Sequence, residues 1–154
     1  MCEYCGCQSL PAIAELTREH DLVVNLIADL KGAGDIARMA ELARQVAAIL
    51  GPHTWVEEQG LFPALAHDFP DHLTALEAEH RRVEEVLAEA ADGTPIDSTW
   101  PDRLMDTMRM LREHILKEQD GVFPAALTTL RTADWEAIDA VRALVGTLLP
   151  ATDS

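Results

Sequence analysis

The sequence has no cysteine beyond its seventh residue and very few aromatic side chains. Cys2, Cys5 and Cys7 are the only cysteines, so disulfide bonds cannot cross-link the fold formed by the rest of the chain. The 154 residues are 48% hydrophobic, which suits one domain with a sizeable core. We therefore expect a single compact domain whose stability comes mainly from packing.

Basic residues are also scarce. There are 12 Lys and Arg against 27 Asp and Glu, which gives a net charge of −15. Nucleic acids and anionic membranes both require clustered positive charge, so we expect neither as a partner. No apolar run approaches the roughly 20 residues that span a bilayer, and the N-terminus does not resemble a secretory signal. We therefore expect a cytoplasmic protein.

Apolar residues recur with helical spacing along almost the whole chain, and no stretch alternates as a strand would. The sequence is therefore predicted to be all-α. Gly51-Pro52 and Gly60 with Pro63 should kink the second helix, because proline removes a hydrogen bond from the helix. The predicted helices run from near Ser9 and Pro11 to Lys31, from a cap at Asp35 to about His67, from the turn ending at Asp71 to Ala91, from Pro101 to about Leu130, and from a cap at Thr132 to near Pro150.

One twelve-residue motif occurs twice. HTWVEEQGLFPA at 53–64 and HILKEQDGVFPA at 114–125 are identical at six of twelve positions. Each copy begins with a histidine followed four residues later by a glutamate, His53 with Glu57 and His114 with Glu118. Residues i and i+4 share one helix face, with Cβ atoms about 5–6 Å apart. Such a pair can place an imidazole on one ion and a carboxylate across to a second.

A further histidine precedes each copy, His20 on the first helix and His80 on the third. Both occupy a position of the apolar stripe, and the repeated His-Glu pairs fall on the stripes of the second and fourth helices. Two carboxylates among apolar side chains require a cation. Mixed nitrogen and oxygen ligation suits iron, manganese or zinc, and we favour iron because bridging carboxylates tolerate its change of oxidation state. The alternative is a metal-free bundle whose core histidines and glutamates satisfy one another.

The order H…HxxxE…H…HxxxE resembles the hemerythrin-like or HHE domains over about residues 12–130. The resemblance implies an up-down four-helix bundle and two iron ions joined by an oxo or hydroxo bridge. The short fifth helix should pack on the outside of this bundle through its apolar stripe, Trp135, Ile138, Val141, Val145 and Leu148. We accordingly divide the chain into a cysteine-rich N-terminal segment (1–8), the bundle (9–131) and a C-terminal helix and tail (132–154). The implied ligands are His20 and His53 on one iron, His80 and His114 on the other, and Glu57 and Glu118 as bridges.

The third helix departs from the oxygen-carrying branch of that family, which has two histidines four residues apart there. Leu76 and Glu84 flank His80 at those distances, and His72 lies too far away. The resemblance thus implies a non-carrier branch with coordination positions open to water, a substrate, Glu84 or a residue from outside the bundle. It implies reaction with peroxide, nitric oxide or oxygen in oxidative or nitrosative stress defence, with an unknown electron donor. The alternative is non-enzymatic binding, sensing or storage of oxygen or iron.

A ferritin-like di-iron site is excluded, because it needs Glu-x-x-His on two helices and only Glu77 with His80 fits. The remaining hypotheses concern the thiols, the aromatic residues and two further histidines. The thiols are hypothesised to form a reversible disulfide or a reactive tail, and Tyr4 to reach an open iron position. Phe62 and Phe123 are interpreted as walls of a gas pocket or as core packing, His67 and His72 as surface residues, and Trp55 as facing away from the metals.

Overall fold

A computed structural model describes residues 11–147. Over this range the chain is helical, with two helices each interrupted by a single π turn. The helices are α1 (Pro11–Lys31), α2 (Ile36–Val56), α3 (Phe62–Leu65), α4 (Pro70–Ala88), α5 (Trp100–Lys117), α6 (Phe123–Thr129) and α7 (Thr132–Val145), with the first π turn at Glu57–Leu61 and the second at Glu118–Val122.

The four long helices form a closed ring. α1 packs along α2 and α4 along α5, and contacts of α2 with α4 and of α1 with α5 complete the bundle. α7 lies on the outside, against α1, α2 and the first π turn. The predicted four-helix bundle with a fifth outer helix is confirmed. Among the described residues, no helix is long and apolar enough to cross a bilayer.

Two apolar clusters lie inside the bundle, one on each side of the six predicted ligands. In α1, Leu16 belongs to one cluster and Val23 to the other, with His20 between them. In α4, Leu76 and Val83 flank His80 in the same way. Burial of each such side chain contributes about 1.5–3 kcal/mol. The two clusters thus stabilise the bundle enough to accommodate the buried polar side chains of the six predicted ligands between them.

The π turns follow directly after the two His-x-x-x-Glu pairs. The N–H of Phe62 donates to the Glu57 carbonyl, and the N–H of Phe123 to the Glu118 carbonyl, so each turn encloses one extra residue. Pro63 and Pro124 come next, and neither has the N–H that would continue regular α-helical bonding. The repeated sequence therefore produces the same local distortion in both copies.

Several predicted helix details need correction. The second and fourth helices are not continuous, because the π turns divide each of them, whereas α2 continues through Gly51-Pro52. Asp35 caps α2 as predicted, accepting the Arg38 N–H at 2.8 Å. Thr132 is the first residue of α7 instead of its cap.

α7 also ends earlier than predicted, at Val145. Gly146 follows with φ +71°, a left-handed conformation that glycine adopts without a steric penalty. Cys2, Tyr4, Cys5 and Cys7, together with the predicted helix end at Pro150, lie outside the described residues.

Candidate metal centre

All six predicted ligands lie at the centre of the bundle. They come from α1, α2, α4, α5 and the first residue of each π turn, and all are buried, with the two glutamates fully so. Rings from neighbouring helices pair symmetrically: His20 and His53 have centroids 4.6 Å apart, and His80 and His114 have centroids 4.7 Å apart. The structure therefore brings together the complete predicted set.

Each carboxylate directs one oxygen toward each histidine pair. Glu57 Oε2 lies 3.1 Å from His53 Nε2, and its Oε1 lies 3.1 Å from His80 Nε2. Glu118 Oε1 lies 2.9 Å from His20 Nε2, and its Oε2 lies 3.3 Å from His114 Nε2. A carboxylate with its two oxygens in different ligand groups is arranged to bridge two ions.

These short separations lack hydrogen-bond geometry. All four oxygens of Glu57 and Glu118, and Nε2 of His20, are buried without a hydrogen-bond partner. An unsatisfied buried carboxylate costs several kcal/mol or more. The residues fit a pair of cations, because two nitrogens and two carboxylate oxygens converge within 4.8 Å in each of two overlapping groups. These groups are His20, His53, Glu57 and Glu118, and His80, His114, Glu57 and Glu118.

The other nitrogen of every histidine, Nδ1, has a partner of its own. This contact fixes the ring with Nε2 directed inward, an arrangement typical of metal-binding histidines. The four contacts are His53 to Glu19 at 2.9 Å, His80 to Glu58 at 2.6 Å, His114 to Glu79 at 2.9 Å, and His20 to the side-chain oxygen of Gln119 at 3.1 Å.

The outer carboxylates are held in turn by further groups. Arg81 donates to Glu58 at 2.7 Å, and Lys117 to Glu79 at 2.7 Å. Glu19 is buried and accepts a hydrogen bond from the Thr147 hydroxyl at 2.5 Å. The orientations of His53, His80 and His114 therefore depend on chains of contacts that extend beyond their direct partners.

In the absence of metal, the contacts within the centre raise the pKa values of His53, His80 and His114 and lower the pKa of Glu57. Burial alone would lower the pKa of His53, but the carboxylates of Glu57 and Glu19 outweigh it and raise that pKa well above the ordinary value. Burial likewise opposes a rise at His80, yet Glu57 and Glu58 raise its pKa to about 9. Burial would raise the pKa of Glu57, but His53 and His80 hold it well below its usual range. Metal binding must therefore displace protons.

Phe62 and Phe123 contact the histidines directly. The Phe123 ring is stacked on His20 with centroids 5.5 Å apart, and the Phe62 ring on His80 with centroids 5.9 Å apart. Both phenylalanines are buried and belong to the same apolar cluster. They form an apolar floor beneath the histidine layer, so core packing describes their contacts, and neither lines the cavity that reaches the histidines.

A cavity of about 500 Å³ lies on the other side of the histidines, between α2 and α4. All four site histidines contribute to its lining, and its walls are mainly small or apolar residues. Glu84 lies at this cavity but is exposed and paired with Arg81 at 3.0 Å, so it does not join the ligand groups. The apolar part of the lining includes Ala47, Ala48, Leu50, Gly51, Val83 and Leu87.

The outer partners Glu19, Glu58, Glu79 and Gln119 were not predicted from the sequence. Each is adjacent in sequence to a predicted ligand, and neighbouring residues on a regular helix point about 100° apart. Adjacency to a predicted ligand does not identify an outer partner, because Glu113 also stands next to His114 and yet is exposed. His67, His72 and Trp55 are exposed, as predicted.

Comparison with known proteins agrees with this geometry. The family model of the hemerythrin HHE cation binding domain matches residues 12–126, a range that covers most of the chain and includes all six converging residues. Comparisons with curated proteins and with solved structures gave no match. The chain belongs to the hemerythrin HHE cation-binding family.

Proposed function

We propose that this protein holds two iron ions, joined by an oxo or hydroxo bridge, and reacts with a small oxidant such as hydrogen peroxide, nitric oxide or oxygen. The observation that carries the proposal is the division of the oxygens of Glu57 and Glu118 between the two histidine pairs. In this proposal His20 and His53 hold one ion, and His80 and His114 hold the other.

Iron is favoured by the donor set. Each group provides two imidazole nitrogens and two carboxylate oxygens, a mixture that suits first-row metals that change oxidation state. Four protein atoms per ion leave coordination positions for a bridge and an oxidant. When bound, the iron pair would supply the redox chemistry, and the chain would supply its position and surroundings.

The cavity between α2 and α4 offers a route to the centre. Its walls are mostly apolar, and small residues such as Ala47, Gly51 and Ala88 leave room beside the histidines. Uncharged molecules the size of peroxide or nitric oxide can enter such a cavity at little desolvation cost. Charged reductants and metabolites would be disfavoured there. This selectivity supports a small oxidant as substrate.

The protein residues have three tasks in this proposal. The histidines and bridging glutamates hold the ions. The outer partners fix the orientation of the imidazoles; they are Glu19, Glu58, Glu79 and Gln119. The stacked phenylalanines, Phe62 and Phe123, exclude water from the side of the histidines opposite the cavity. The proposal extends to defence against oxidative or nitrosative stress, in a cytoplasmic protein of the non-carrier branch.

A second candidate is non-enzymatic binding of oxygen or iron, for sensing or storage. It is favoured because the arginine and the glutamate that line the cavity form contacts with other groups and not with the histidines. Arg44 donates to the Ala90 carbonyl at 3.1 Å, and Glu84 pairs with Arg81. Neither is directed at the histidine layer, so a protein proton donor for turnover is not evident among the described residues that line the cavity.

The first test is elemental analysis of protein isolated without added metal, together with its ultraviolet-visible spectrum. Two irons per chain with near-ultraviolet charge-transfer bands support the proposal. Zinc, or folded protein without metal, contradicts it.

The enzymatic and binding candidates are separated by peroxide turnover. Oxygen release from hydrogen peroxide needs no external electron donor, so it tests a catalase-like activity directly. Nitric oxide consumption is measured in parallel. Wild-type rates well above those of His114→Ala support an enzyme, whereas equal rates support a binding protein.

A further inference from the structure

The two halves of the centre differ chemically at one matched position. The residue after each bridging glutamate is Glu58 in the first copy of the motif and Gln119 in the second. Each reaches across the bundle to the histidine of the other half, Glu58 to His80 and Gln119 to His20. The remaining outer partners are both carboxylates, because Glu19 holds His53 and Glu79 holds His114. They differ in their own contacts, since Glu19 is buried beside the Thr147 hydroxyl and Glu79 pairs with Lys117.

This exchange makes the two histidine pairs unequal. His80 and His114 each donate to a carboxylate. In the other pair His53 donates to a carboxylate, but His20 donates to the amide oxygen of Gln119. A carboxylate partner increases the electron density on the ring and holds it more firmly than a neutral amide does. The contact lengths follow this order, 2.6 Å to Glu58 and 3.1 Å to Gln119.

Solvent screens the cations that accompany the carboxylates of the second pair. The Arg81 and Lys117 side chains that contact Glu58 and Glu79 are each 52% exposed, so water reduces their effect on the two histidines. The inner environment is otherwise closely matched, since each pair has one stacked phenylalanine and equal ring spacing. Gln119 is therefore the clearest chemical source of inequality.

We propose that Gln119 makes the position of His20 and His53 the weaker of the two metal positions, the last to fill and the first to empty. This inference rests on the proposed two-metal centre. It assigns Glu58 and Gln119 as positioning residues that act through the histidines. Loss of an outer partner typically changes metal affinity by about 10–100-fold, and we expect a difference of that order between the positions.

The test uses cobalt(II) as the probe. Metal-free protein is given one equivalent of cobalt and crystallised, and the anomalous signal gives the occupancy of each position. A chelator competition followed by the cobalt visible spectrum gives the two dissociation constants in solution. For the wild type we expect occupancy at His80 and His114 about tenfold or more above that at His20 and His53.

Two isosteric exchanges and their combination sharpen the test. Gln119→Glu should strengthen the weak position and equalise the occupancies. Glu58→Gln should weaken the strong position and equalise them at lower affinity, and the double exchange should reverse the preference. Glu113→Gln is the matched control, because it removes the same charge at an exposed neighbour of His114 and should leave the wild-type preference intact.

The outcomes separate this inference from the proposed function. Absence of cobalt binding in every form would overturn both. Two bound ions with equal occupancy in the wild type, or an unchanged preference in both exchanges, would overturn the role of Gln119 and leave the centre standing. Circular dichroism establishes folding of each form, and Glu58→Gln decides the question if Gln119→Glu does not fold.

Discussion

The half of the bundle built from residues 11–69 and the half built from residues 70–130 present nearly the same chemistry inward and different surfaces outward. Each half contributes two histidines, one glutamate shared by both ligand groups, a π turn and a stacked phenylalanine. The proposed two-metal centre requires both carboxylates to reach both histidine pairs, so the inner contributions are tightly constrained. The outer faces carry no such constraint.

The glycines of the two π turns show the outer difference. A methyl group on Gly60 would lie 3.5 Å from the Ile138 Cα, because α7 covers this turn, whereas a methyl group on Gly121 would meet nothing within 4 Å. Beside Gly121 the surface instead has a cavity of about 450 Å³, lined partly by Leu73, Leu76 and Val122. The duplicated centre therefore tolerates two different kinds of outer packing.

Replacing either bridging carboxylate should have the largest effect and should not distinguish the halves. Glu57→Gln and Glu118→Gln each remove one charge that both ligand groups share. We expect either variant to retain at most one ion per chain, measured by elemental analysis after dialysis. Glu84→Gln is the control, because its side chain is exposed and paired with Arg81. Retention of two ions by either bridging variant would contradict the shared-carboxylate arrangement.

Weakening the packing of α7 on the first half of the bundle should have the next largest effect. Ile138 is fully buried under α7, so Ile138→Ala should lower the free energy of unfolding by about 2–5 kcal/mol. Chemical denaturation of the metal-free protein measures the loss. Leu144→Ala on the same helix, where Leu144 is 84% exposed, should change stability by less than about 0.5 kcal/mol. Similar losses in both variants would mean that α7 does not pack through its Ile138 face.

The two π-turn glycines allow a matched comparison of the halves. Gly60→Leu must displace α7 and should cost about 1–3 kcal/mol, the usual penalty for overpacking. Gly121→Leu has open space and should be neutral or slightly stabilising, since glycine inside a helix costs about 0.5–1 kcal/mol relative to alanine. Thermal denaturation of both variants provides the measurement. Equal destabilisation would show that the glycines are needed by the π turns themselves.

The sequence predicted the inner symmetry well and the outer asymmetry poorly. The six converging residues could be found because each replaces an apolar residue on a helical stripe, as His20 does between Leu16 and Val23. Glu58 and Gln119 were missed because a regular helix turns the next residue away, whereas each π turn directs two successive side chains at the site histidines. The spacing of a linear motif does not reveal such a turn. Glu19 and Glu79 lie on regular helices and contact a histidine of the neighbouring helix, which depends on how the helices pack.

Coverage by α7 was predictable only in part. Its apolar stripe indicated that it packs on the bundle, and Ile138 is buried as that stripe requires. Which half it covers depends on the path of the chain after Leu130 and on contacts distant in sequence, such as Arg142 with Glu15 at 3.3 Å. Both copies of the repeat contain the glycine, so the repeat itself could not distinguish the covered turn from the open one.

The smallest predicted effect concerns the proton that metal must displace from His80. The pKa of His80 in the metal-free protein is about 9, because Glu57 and Glu58 together outweigh the lowering effect of burial. Because this pKa lies above the value of about 6.5 for an unfolded histidine, His80 contributes its full stabilisation of the fold below about pH 6.5. Its contribution is then lost as the pH rises toward 9.

Glu58→Gln should lower the His80 pKa by less than about one unit, equivalent to about 1.4 kcal/mol, since Glu57 remains in place. Nuclear magnetic resonance titration of the His80 ring, with thermal denaturation between pH 6 and 10, measures both quantities. An unchanged midpoint in Glu58→Gln would mean that this contact orients the ring without contributing to its charge.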